Sequence, residues 1–136
     1  MFLLDTTTLS DLRNSSRWSP GSARWERTSD LRLSFISTIS EFEIQHGIHR
    51  VQPNDPKFAA ALQNWFDHTL KPAFEKRIIP INSKISHTAA QLTLLPSRDL
   101  PNLLIAATAL VHDLTVVTRN VKHFQDTGVK ILNPWQ

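Results

Sequence analysis

The amino-acid sequence predicts an α/β domain with a central parallel sheet of about five strands and helices on both faces. Short apolar or β-branched runs alternate along the chain with stretches whose apolar residues recur at helical spacing, the pattern of a parallel sheet covered on both sides. One such stretch, over 101–113, is apolar nearly all round (Leu103-Leu104-Ile105-Ala106-Ala107-Thr108-Ala109-Leu110), so it belongs inside the domain. At 136 residues with no cysteine, the chain is long enough to bury one core and must hold it by apolar packing. A single domain spanning 1–136 follows.

Phe2, Leu3 and Leu4 form a short buried strand ending on Asp5, whose carboxylate then sits at the strand's carboxyl edge. Thr6, Thr7 and Thr8 offer capping hydroxyls to a helix carrying Leu9 and Leu12 on one face. Residues 14–21, rich in serine with Pro20 and Gly21, read as a loop. A second strand is expected within 33–39, giving way to a helix near Ser37 or Ser40, with Glu41 and Glu43 in its first turns. Pro53 and Pro56 break the chain. Phe58, Leu62, Trp65, Phe66 and Leu70 then repeat at helical spacing as a core stripe.

Ile78, Ile79 and Ile81 make a third strand, and Ser83 can cap a helix over 84–95 that Pro96 closes. The apolar helix begins at Pro101, a residue suited to a first helical turn. Fourth and fifth strands are expected over 114–118 and 129–132. No internal repeat or low-complexity tract interrupts this order.

Lys and Arg total 15 against 12 Asp and Glu, a formal net charge of +3, and Arg13, Arg17, Arg24, Arg27 and Arg32 crowd the first quarter. Such a cluster favours a polyanion, although it also describes a solvated basic face. No apolar run approaches the roughly 20 residues that span a bilayer, and the first residues carry no basic leader. A soluble, cytoplasmic protein with no membrane partner is expected. The six histidines include one helical pair, His46 and His49, with no third partner for zinc. Trp18, Trp25, Trp65 and Trp135 read as core or interface.

In parallel sheets, ligands gather at the carboxyl ends of the strands. Asp5 ends the first strand, Glu43 lies in the helix after the second, and Thr118-Arg119-Asn120 follows the fourth. Carboxylates brought together on one rim repel each other and lose hydration, so their convergence implies a hard divalent cation.

Leu3-Leu4-Asp5-Thr6 with Leu9-Ser10, Ser37-Thr38-Ile39 with Glu43 and Gly47, and Leu104-Ile105-Ala106-Ala107-Thr108-Ala109 with Val117-Thr118-Arg119-Asn120 and Phe124 resemble the ordered motifs of PIN-domain toxins of the VapC group. They span nearly the whole chain, and Pro80-Ile81-Asn82 is similar to the family's third strand. The resemblance implies a PIN-like fold and an endoribonuclease dependent on Mg2+ or Mn2+, the toxin of a type II toxin–antitoxin pair. It also implies partners: an RNA substrate, a cognate antitoxin, DNA only through that antitoxin, and a second copy in a homodimer. Asp5 and Glu43 match two of the family's acids. Glu41 competes with Glu43 but has the wrong spacing to Gly47.

The family's third acid stands three residues before the isoleucine of Ile-Ala-Ala-Thr-Ala, and this chain has Asn102 there. An optional fourth would fall at His123. Asp99 and Asp126 lie nearby without matching the motif, Asp99 about a turn before the expected helix start. The resemblance therefore assigns Asp5, Glu43 and Asn102 to metal and catalysis, and Thr118, Arg119 and Asn120 to substrate. A neutral amide offsets far less cation charge than a carboxylate. Two readings of Asn102 stand: a weak metal ligand, or a residue capping its own helix. Two readings of the protein stand with them, a metal-dependent ribonuclease and a catalytically weakened PIN domain that binds RNA or antitoxin.

Overall fold

The computed structural model describes residues 1–96 and 98–136. β1 (Phe2–Leu4) leads into α1 (Thr6–Leu12), a 3-10 turn (Ser15–Arg17) and α2 (Pro20–Thr28). A second 3-10 turn (Leu31–Leu33) precedes β2 (Ser34–Ser37) and α3 (Thr38–Val51). α4 (Pro56–Trp65) runs through one wide π-helical turn (Phe66–Leu70) into α5 (Lys71–Ala73). β3 (Ile78–Ile79), α6 (Ser83–Leu92), α7 (Leu100–His112), β4 (Thr115–Val117) and β5 (Lys130–Leu132) complete the chain.

The five strands lie in the order β3-β2-β1-β4-β5, each pair parallel. β1 is central. The chain leaves it on one side for β2 and β3, then returns to its other side for β4 and β5, so the carboxyl ends of β1 and β4 flank a topological switch point.

Successive strand side chains point to opposite faces, and the core divides accordingly. Leu3 and Val116 pack with Ile85 and Ala89 of α6 and Ile105 and Ala106 of α7. Leu4, Ile36 and Val117 pack with Leu9 of α1, Ile44 and Ile48 of α3 and Ala59 of α4. α7 is apolar nearly all round because it packs against both the sheet and α6: Leu103 and every residue from Ile105 to Ala109 are buried.

Several boundaries differ from the sequence reading. α2 occupies part of a segment expected to be loop, because Ser19-Pro20-Gly21-Ser22 is a helix start: Ser19 and Ser22 form a reciprocal capping box, with Pro20 in the first turn. A Cβ at Gly21 would lie 2.5 Å from the Pro134 carbonyl oxygen, so glycine lets this turn close against the C-terminal segment. β2 ends at Ser37, which caps α3 with its side chain, so Thr38 and Ile39 are helical. Asn82, rather than Ser83, caps α6. Pro101 is the second residue of α7, not the first.

Candidate active site

Asp5 leaves β1 as the N-cap of α1. Its Oδ1 accepts the Thr8 backbone N–H at 2.9 Å, and its Oδ2 accepts the Thr118 hydroxyl at 2.6 Å from the end of β4. The Asp5 backbone N–H donates to the Val117 carbonyl at 3.2 Å, and the Thr8 hydroxyl donates to the same oxygen at 3.0 Å. Asp5 is 3 % exposed. A buried carboxylate so tied to α1 and to the end of β4 keeps one orientation, and each oxygen retains a lone pair for a further ligand.

Glu43 reaches the same edge from the second turn of α3. The Thr6 hydroxyl donates to its Oε1 at 2.6 Å and lies 2.9 Å from Ser40 Oγ. Thr6 is the neighbour of Asp5, so a single step of chain carries the α1 cap to the α3 carboxylate. Burial raises the Glu43 pKa above the ordinary glutamate value; the Thr6 hydrogen bond opposes the shift, while the charges of Asp99 and Asp5 add to it.

Asn102, at the third position of α7, spends its amide nitrogen on Asp99 Oδ1 at 2.6 Å and on His123 Nδ1 at 3.1 Å. It does not cap its own backbone. Asp99 stands immediately before α7 rather than a turn upstream, and it makes no side-chain cap to the helix.

Of the three residues expected to meet substrate, Thr118 is turned into the fold. It is fully buried, and its hydroxyl also accepts the Asn120 backbone N–H at 2.9 Å, so it orients Asp5 out of reach of a bound polymer. Arg119 Nη1 lies 3.3 Å from Asp11 Oδ2 with a third of its side chain exposed. Asn120 Nδ2 makes a long contact to the Thr7 hydroxyl at 3.4 Å.

Asp11 was not among the expected site residues. It is fully buried, neither carboxylate oxygen has a hydrogen-bond partner among the described residues, and Arg17 and Arg119 flank it at 3.6 and 3.3 Å. Desolvation raises its pKa against the pull of both arginines, and Asp5 raises it further. Nothing in the local sequence marks Asp11, because its partners come from a turn and from the far end of β4.

A cleft of about 300 Å³ opens beside this edge, with Thr6, Glu43, Arg13 and Arg17 toward its polar side and Ile48, Leu62 and Trp65 among its apolar walls. Arg13 lies over the Phe58 ring, 5.2 Å from its centroid. His46 and His49 are both exposed on α3.

A model of the PIN domain matches residues 2–130. The chain belongs to the PIN-domain family. Among curated relatives, this PIN domain is 29% identical to "Plasmid stability protein StbB" of Pseudomonas syringae pv. tomato, over 100% of this chain and 99% of the relative. It is 26% identical to "VapC ribonuclease Y4jK" of Sinorhizobium fredii over 100% and 99% of the two chains. Among solved structures it superposes on FitAcB from Neisseria gonorrhoeae with a TM-score of 0.88, at 26% identity and covering 100% and 99% of the two chains.

PIN nucleases generally use divalent metals, and the donors present here test that fit. Two carboxylates, Asp5 and Glu43, are each held by a neighbouring hydroxyl, and each keeps lone pairs for a further ligand. Among the described residues no three His, Cys, Asp or Glu side chains are grouped to hold a metal ion. The donor set fits one hard cation, held by two carboxylates and neutral oxygens.

Proposed function

We propose that this PIN domain is a metal-dependent endoribonuclease acting as the toxin of a type II toxin–antitoxin pair. The observation that carries this reading is the junction at the switch point, where Thr118 fixes Asp5 and Thr6 fixes Glu43 so that both carboxylates share one edge. Asp5 and Glu43 would hold Mg2+ or Mn2+, with Asn102 as a weaker, neutral ligand. When bound, such a cation polarises a phosphodiester and lowers the pKa of a water that attacks it in line.

The protein's own part is placement. The hydrogen bonds to Asp5 and Glu43 set the two oxygens before substrate arrives, so little reorganisation is needed. Arg119, oriented by Asp11 yet still partly exposed, is suited to an RNA phosphate, and Asn120 lies in the same loop. Arg13 and Arg17 extend positive charge along the adjoining cleft.

The partners in this reading follow the relatives. Solved neighbours include FitAB bound to a DNA fragment and a toxin–antitoxin complex from Klebsiella pneumoniae. By analogy this chain pairs with an antitoxin that covers the acidic edge and carries the DNA contact. A homodimer is included, with Phe42, Leu94 and Leu100 as large apolar side chains left exposed for contact. No helix among the described residues is long and apolar enough to cross a membrane, which accords with the proposed cytoplasmic setting.

A second reading is favoured by one specific observation: among the described residues no third acidic side chain is grouped with Asp5 and Glu43 to hold a metal ion. In it the domain binds RNA or antitoxin without cutting. Purified wild type, Asp5→Asn and Asn102→Asp are compared for cleavage of an RNA oligonucleotide with Mg2+ or Mn2+. Cutting by the wild type but not by Asp5→Asn supports the nuclease. A wild type as inert as Asp5→Asn, beside an active Asn102→Asp, establishes the binding module.

A further inference from the structure

Six helix starts in this fold have an N-cap side chain that accepts a backbone N–H of the first turn: Asp5, Ser19, Ser37, Asp55 and Asn82 do so for α1, α2, α3, α4 and α6, and Asp30 for the turn before β2. Asp99 holds the same position at α7 and makes no such bond. Its Oδ1 accepts instead from the side-chain amide of Asn102, at 2.6 Å. Asp99 thus leaves the start of α7 without a side-chain cap and spends its oxygen on the residue standing where the family has an acid.

The bond also fixes which way the Asn102 amide faces. Exchanging its oxygen and nitrogen would set two unprotonated oxygens 2.6 Å apart, which is repulsive. The second amide hydrogen points to His123 Nδ1 at 3.1 Å, which accepts when the ring proton is on Nε2. Both hydrogens of the amide are then used, and Oδ1 is its free end. Hydrogen bonds donated by an amide also polarise its carbonyl and make the oxygen a better donor to a cation.

We propose that Asp99 is a positioning residue for the cation site: it locks Asn102 with its carbonyl oxygen free for the metal and returns, one residue removed, the negative charge that asparagine lacks. His123 completes the lock. The arrangement parallels metal sites in which an outer carboxylate orients a neutral ligand and strengthens it. Through His123, Asn102 meets the turn that follows β4, the strand beyond whose end Thr118 holds Asp5, so the pair stands on the same side of the fold as the acidic edge.

The inference rests on the cation site proposed above, and its test separates the two. Mn2+ affinity of the full chain is measured by titration calorimetry, without RNA, for wild type, Asp5→Asn, Asp99→Asn, and the exchange Asp99→Asn with Asn102→Asp. Asparagine is as good an N-cap as aspartate, so α7 should survive, and thermal melting of each variant checks this. Asp99→Asn is expected to bind Mn2+ about 10-fold more weakly, the scale of an outer-ligand loss, and the exchange to recover wild-type affinity or better. If Asp5→Asn abolishes binding while Asp99→Asn binds as wild type does, the positioning role is wrong and the site stands. If the wild type binds no Mn2+, or Asp5→Asn binds it unchanged, the site itself is wrong and this inference goes with it.

Discussion

The two walls of the acidic edge are built on opposite terms. On the β1–β4 wall, Asp5 is buried, caps α1, and is tied to Thr8 and Thr118, which are themselves fully buried. On the α7 wall, Asp99 is exposed, makes no cap, and touches Asn102 and through it His123. The first wall is part of the core, so its carboxylate cannot move without disturbing two strands. The second is a hydrogen-bonded surface chain that can change residues at little cost to the fold. In the reading proposed above, such a site keeps its shape with asparagine at the third position, because its geometry is held by the buried wall.

The comparison is broken most severely at Asp5. Asp5→Asn should lower RNA cleavage by more than about 100-fold, beyond what outer partners of a metal typically cost, as read from single-turnover rates with saturating Mn2+. Asn102→Ala, on the other wall, should cost about 10-fold or less in Mn2+ affinity and leave the melting temperature nearly unchanged. Equal losses at the two positions would show that the walls are equivalent.

Thr118→Val sharpens the contrast by changing the buried wall without touching a ligand. It leaves a buried Asp5 oxygen unsatisfied, so a loss of about 1–3 kcal/mol in stability is expected, measured by urea unfolding, together with weaker Mn2+ binding. If stability were retained, Asp5 would not depend on β4 for its position.

The smallest effect is on pH. Glu43 has a raised pKa, so between its unfolded and folded values the native state holds more protons than the unfolded chain. In the cation-free protein its contribution to stability therefore falls as pH rises through that window, and is recovered below it. Cation binding runs the other way, since it needs the carboxylate. Mn2+ affinity should fall as pH drops through a range above that of an ordinary glutamate, and Glu43→Gln should bind more weakly with a flatter profile. A midpoint at the free-glutamate value would show that burial of Glu43 has no functional weight.

The sequence alone determined the alternation of strands and helices, the central apolar helix, and the placing of Asp5 at the end of the first strand and of Glu43 in the helix after the second. These are legible because periodicity and local caps are properties of a few consecutive residues. α2 was missed because its start is built from serine, proline and glycine and its body carries only Ala23 and Trp25 as apolar residues, so it has little periodic signal. The bond from Thr118 to Asp5 was not legible, because a threonine after a strand looks the same whether its hydroxyl meets solvent or a carboxylate 113 residues away. Only the tertiary structure decided the charge pattern of the edge: that Asp11 is buried between Arg17 and Arg119, and that Asp99 serves Asn102 rather than its own helix. Hydrogen bonding and desolvation depend on which groups the fold brings within about 3 Å of one another, and spacing along the chain does not carry that information.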